Sequence, residues 1–88
     1  MDKVYVGLDL GSSIFHQVVI NSDGTMIANR RFSTSELNLR RACADVRGEI
    51  HVHLEAGELA PWASAVIAPL VARVVLFAST RQCLDRQR

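Results

Sequence analysis

Apolar positions along the chain change period several times, and each change marks an element. Val4 to Leu10 (VYVGLDL) is a nearly unbroken apolar run, the pattern of a central strand covered on both faces. Gly11-Ser12-Ser13 interrupts it, Phe15 to Ile20 (FHQVVI) predicts a second strand, and Asn21-Ser22-Asp23-Gly24 is a turn signal. Thr25 to Phe32 predicts a third, so residues 4–32 form a three-stranded meander. At Ser33 the period lengthens. Ser33-Thr34-Ser35-Glu36 fits a capping box, with Leu39, Cys43 and Val46 on one helical face and Gly48 as a stop. Glu49 to Glu55 (EIHVHLE) alternates strictly and predicts a fourth strand. Residues 58–68 predict a second helix that turns Leu59, Trp62, Val66 and Leu70 to one side. Pro61 is tolerated in its first turn and Pro69 ends it. Arg73 to Phe77 (RVVLF) is a fifth strand, and Ser79–Arg88 carries no predicted element and reads as a disordered or atypical tail.

The predicted order is therefore βββαβαβ. A strand–helix–strand unit favours parallel pairing, so the fourth strand is expected beside the first, with the hairpin on the other side. That is an α/β mixed sheet of the RNase H-like (RuvC-like) kind. At 88 residues the chain is at most one small domain, burying only about 60–65% of its unfolded surface. Apolar residues make up 49% and charged residues 22%, which fits a folded globular chain and not one disordered throughout. A net charge of +1 lacks the basic excess of a free-standing nucleic-acid module, so any grip on phosphate must be local.

Cys43 and Cys83 have neither zinc spacing nor a CxxC motif. No signal peptide is recognisable, and no apolar run reaches the roughly 20 residues needed to span a bilayer. A cytoplasmic protein with free thiols is the expectation.

Asp9 stands out chemically. A carboxylate near the end of an apolar strand costs several kcal/mol, on the order of a buried ion's penalty, unless it is compensated. It could cap the amides of Gly11 to Ser13, or it could be a ligand. Glu55, at the end of the fourth strand, favours the ligand reading, because parallel pairing brings both acids to the edge where α/β sheets place their sites. Two neighbouring carboxylates suit Mg²⁺ or Mn²⁺. A helix-terminal role for Glu55 stays open. Glu58 is a candidate outer ligand or a solvated first-turn residue. His51 and His53 share a face with Glu55 as a possible transition-metal stripe or as packed histidines. Trp62 is assigned to the core, and Arg30-Arg31 and Arg40-Arg41 are candidate phosphate contacts or solvated surface.

Two blocks carry a family resemblance. GLDLGSS resembles the opening strand of RNase H-like groups, and HLEAGELAPWASAVIAPLVARVVLF resembles the E-A-[ST]-G-x-x-x-W segment of DEDD insertion-sequence transposases. The likeness runs from Val4 to about Phe77. It implies a RuvC-like N-terminal domain whose D-E-D-D acids coordinate Mg²⁺, a separate serine-bearing domain, DNA as substrate and a structured guide RNA as partner. Asp9 matches the first Asp and Glu55 the Glu. The K-x-D-x-x-D-A motif that supplies the last two acids has no counterpart; Asp85, in CLDRQR, does not fit it. Ala78-Ser79-Thr80 replaces the usual N-P or D-P. The resemblance thus implies the N-terminal part of a transposase catalytic domain, truncated after the fifth strand and inactive in DNA cleavage alone. Three other readings stay open: a phosphate-loop fragment of the actin, heat-shock chaperone and sugar-kinase superfamily, through Asp9-Leu10-Gly11-Ser12; a small RuvC- or YqgF-like resolvase; and a non-catalytic oligomerisation module. A sheet face left uncovered would favour a homo-oligomer.

Overall fold

The computed structural model describes residues 2–78, so the tail, with Cys83 and Asp85, lies outside the described residues. Its elements follow the alternation and its breaks closely: β1 (Lys3–Leu10), β2 (Ile14–Ile20), β3 (Met26–Ser33), α1 (Glu36–Ala44), β4 (Glu49–Glu55), α2 (Ala60–Ile67), a 3₁₀ turn (Ala68–Leu70) and β5 (Arg73–Phe77). They build a small α/β unit around one five-stranded sheet of order β3-β2-β1-β4-β5. β2 is antiparallel to both β1 and β3, while β4 runs parallel to β1 and β5. The sheet is therefore mixed, and the fourth strand lies beside the first as the βαβ rule requires. Among the described residues no helix is long and apolar enough to cross a membrane.

One expectation for β1 fails. Val4, Val6 and Leu8 are buried, but Lys3, Tyr5, Gly7 and Asp9 are exposed. The apolar run concealed an alternation, because glycine and tyrosine read as apolar wherever they point. Both helices pack on the same face. Leu39, Ala42 and Cys43 of α1 and Ala63 and Ile67 of α2 join Val6, Phe15, Val52 and Leu54 in one core. The opposite face carries no helix among the described residues. Its exposed apolar side chains include Tyr5, Ile14 and Phe77.

Both helices also differ from the sequence reading in detail. β3 continues through Ser33, so Ser35 becomes the N-cap of α1. Its extended backbone lets the hydroxyl accept from the Asn38 amide at 3.1 Å. Glu36 instead pairs with Arg40 at 3.0 Å, one turn on. α1 ends at Ala44, and Gly48 serves the entry to β4. With φ of 121°, its missing Cβ would lie 2.7 Å from Val4 Cγ2 and 2.9 Å from the Asp2 carbonyl. In α2 the inward stripe is Ala60, Ala63 and Ile67, one position off the predicted Leu59–Trp62–Val66–Leu70 stripe. Small alanines let the helix lie close to α1. Trp62, with 36% of its surface exposed, lies outside the core to which the sequence assigned it.

The one buried polar side chain among the described residues is Gln17. Its amide nitrogen donates to the Ala42 carbonyl of α1 at 3.0 Å, and its oxygen accepts from Arg30 Nε and Nη2 at 3.1 and 2.9 Å. Arg30 also reaches Asp45 at 3.1 Å. This network fastens β2, β3 and α1 together with every buried polar atom satisfied. Beyond it, towards the Asn21–Thr25 turn, the β2–β3 register shifts at a bulge between Val19 and Ile20.

Candidate functional site

The β1–β4 ladder runs in register up to Leu8 opposite Leu54. Asp9 and Glu55 are the next residues of each strand, so they are neighbours at the C-terminal edge of the sheet. Since side chains alternate, both stand on the face without helices. They line one cleft of about 380 Å³, together with Leu10, Ser12, Glu58 and the Ala56–Gly57 backbone. The Ala56 amide donates to the Phe77 carbonyl at 2.8 Å, which fixes the chain directly after Glu55.

Neither carboxylate is buried. Asp9 therefore escapes the desolvation cost expected of it: its strand is apolar, but its side chain is on the wet face. What singles out the pair is like charge at close range on adjacent strands, at the edge where α/β sheets carry their sites. The capping alternative finds the Gly11 amide already committed, since it donates to the Ile14 carbonyl at 3.0 Å. Gly11 is otherwise enclosed as well. Its carbonyl accepts from Thr34 Oγ1 at 2.7 Å, and a Cβ there would stand 2.6 Å from the Ile14 oxygen.

The histidine stripe is divided. His51 Nε2 lies 2.6 Å from Glu49 Oε2, and this contact holds the Glu49 carboxyl below its ordinary value. Tyr5 stacks obliquely near both His51 and His53, with ring centroids 5.8 and 6.3 Å away. Only His53 reaches the acidic edge. It lines a second hollow of about 270 Å³ with Gly7, Asp9, His16, Glu55 and Phe77. Among the described residues no three of His, Cys, Asp and Glu form a group able to hold a metal ion by themselves. Two carboxylates are nevertheless a fitting set for Mg²⁺, which keeps several waters and is commonly bound by one or two carboxylates plus substrate phosphate.

His16 was missed in the sequence. It pairs directly with Asp9 across the β1–β2 hairpin, and Arg31 pairs with His16 across the next. The first pairing follows from a mirror about the Gly11–Ser13 turn, but the second does not, because the bulge between Val19 and Ile20 shifts the β2–β3 register by one residue and brings Arg31 opposite His16. The arginine doublets also separate. Arg30 points to the covered face and its network, Arg31 is exposed on the open face, Arg40 is paired with Glu36, and Arg41 is exposed. Compared with known proteins, the chain matches no family model and no curated protein.

Proposed function

We propose that the chain carries the first two metal-binding carboxylates, Asp9 and Glu55, of an RNase H-like, DEDD-type transposase domain acting on DNA. The observation that carries this reading is their neighbourhood: adjacent parallel strands, one face, one edge and a shared cleft. The strand order, with β2 alone antiparallel, is the arrangement that an RNase H-like fold calls for. The resemblance of the GLDLGSS and HLEAGELAPW blocks to DEDD insertion-sequence transposases adds the substrate class, DNA, and a structured guide RNA as partner.

In this reading Asp9 and Glu55 would hold Mg²⁺ or Mn²⁺ from the protein side, leaving the remaining positions to water and phosphate oxygens. A divalent cation there supplies charge stabilisation for phosphodiester cleavage and strand transfer. Of the four D-E-D-D acids only the first two have counterparts, Asp9 and Glu55, and the 88-residue sequence has no K-x-D-x-x-D-A motif. Metal binding without DNA cleavage is therefore expected of this chain. Tyr5, Ile14 and Phe77 on the open face support self-association, and light scattering should find a dimer.

Titration with Mn²⁺, followed by paramagnetic broadening of backbone resonances, tests the assignment. Broadening should centre on residues 9–12 and 55–58 and vanish in Asp9→Asn and Glu55→Gln. Broadening elsewhere, or unchanged in both variants, would overturn it. Mg²⁺-dependent nicking by the purified chain that disappears in Asp9→Ala would refute the expected lack of cleavage while leaving the assignment of Asp9 standing.

A further inference from the structure

The open face carries an ordered row of charge across its C-terminal edge. Glu55 and Asp9 are neighbours, His16 stands opposite Asp9, and Arg31 stands opposite His16, each on the next strand of the sheet. Side chains directly across a ladder point to the same side, so the row reads acid, acid, imidazole, guanidinium along one line. A depression of about 240 Å³, lined by Asp9, Gly11, Ile14, His16 and Arg31, joins Asp9 to Arg31. Asp9 and His16 also line the adjoining hollow, which makes the surface continuous from Glu55 to Arg31.

The imidazole is partly committed, because His16 Nε2 donates to Asn29 Oδ1. That leaves Arg31 as the one fixed positive charge in the row. Two other arginines differ in this respect. Arg30 is held by Gln17 and Asp45, and Arg40 by Glu36, whereas Arg31 makes no ion pair or hydrogen bond among the described residues. It is exposed and lies two strand spacings, about 10 Å, from Asp9.

From this arrangement we infer that Arg31 holds a phosphate of a nucleic-acid strand one or more nucleotides from the phosphate at Asp9 and Glu55. The inference rests on the proposed function for the identity of that acidic half. A strand crossing the edge of the sheet meets a divalent-cation site at β4 and β1 and a guanidinium at β3. Both ends of the row are then attractive to a polyanion that the two carboxylates alone would repel. The fork of arginine suits two phosphate oxygens at once, which a lysine ammonium does not. Arg31 is a positioning residue: it orients the strand and touches no reacting atom.

Fluorescence anisotropy of a labelled single-stranded DNA oligonucleotide with the 88-residue chain, in Mg²⁺ and over a series of salt concentrations, tests this. Arg31→Ala should weaken binding about tenfold and reduce the slope of log affinity against log salt by about one. Arg31→Lys should retain the slope and only part of the affinity. Arg41→Ala, on exposed α1, should leave both unchanged. Equal affinity and slope in Arg31→Ala and the parent overturns the inference, as does an equal loss in Arg41→Ala, which would signify diffuse charge. Displacement of the DNA by equimolar inorganic phosphate, or no DNA binding by the parent, also overturns it. Mn²⁺ broadening at Asp9 with an indifferent Arg31 would refute this inference alone. The converse, an Arg31-dependent DNA grip without metal binding at Asp9, would refute only the acidic half.

Discussion

Val52 and His53 are adjacent residues of β4, yet they belong to different environments. Val52 is fully enclosed with Val6, Leu39 and Ile67, whereas His53 stands over a hollow floored by Gly7. The same division runs along every central strand: Leu8 against Asp9, Phe15 against His16, Leu54 against Glu55. One face of the sheet is packed by two helices and holds the chain together; the other collects most of its unspent chemistry. Stability and function are thus separated by the thickness of a single sheet, and substitutions on the two faces should have nearly independent consequences.

The largest test of that separation is Phe15→Ala. Phe15 is fully buried and stacks on Phe32 at 5.0 Å, so its loss should cost about 3–5 kcal/mol. Native stabilities run at roughly 0.05–0.15 kcal/mol per residue, about 4–13 kcal/mol for 88 residues, so this variant should unfold at a much lower urea concentration than Tyr5→Ala. A comparable cost for both would erase the distinction between faces. Next comes Cys43, whose thiol burial pushes up to about 11. Thiolate being the reactive form, its alkylation near pH 8 should run about a hundredfold slower than that of an ordinary thiol, read by peptide mass, and accelerate on unfolding.

The arginine neighbours give a finer comparison. Arg30→Ala strips the Gln17 carbonyl of its donor inside the core and should cost about 1–3 kcal/mol. Arg31→Ala should change stability by less than about 0.5 kcal/mol. Thermal denaturation that ranks them equally would contradict the assignment of the doublet to two faces. The smallest effect concerns Glu49, whose carboxyl is held low chiefly by the His51 hydrogen bond. A lowered carboxyl stabilises above its ordinary value of 4.5, and that support disappears as pH falls through the lower folded value. The Tm advantage of the parent over Glu49→Gln should therefore be present at pH 6 and vanish in strong acid.

Much of this division could be read from the chain, and the parts that could not have a common cause. The strands were legible because polar residues alternate in β4 and because Gly11-Ser12-Ser13 and Asn21–Gly24 break the apolar runs. Asp9 and Glu55 were legible because each is an acid at the end of such a run. β1 was misread as covered twice, since hydropathy alone cannot tell which way Tyr5 and Gly7 point. Ser33 and Ser35 are equally good caps until the length of β3 decides between them. The stripe of α2 was displaced because alanine is a weak hydrophobic signal beside Trp62 and Leu70, although it is alanine that permits close packing. His16 and Arg31 become partners of Asp9 only through two cross-strand registers, which are properties of pairs of strands and of no single segment.

The bulge between Val19 and Ile20 bears on those registers. It sits on the turn side of the Gln17–Arg30 clamp, while the acidic edge lies on the other side. A change in the length of the Asn21–Thr25 turn would be taken up as slack at the bulge before it could slide the clamped residues past one another. The loop at one end of the hairpin is thereby insulated from the alignment at the other. The turn itself is built by Asn21, Asp23 and Gly24, but a change in its length need not move Arg31, His16 and Asp9 from their places.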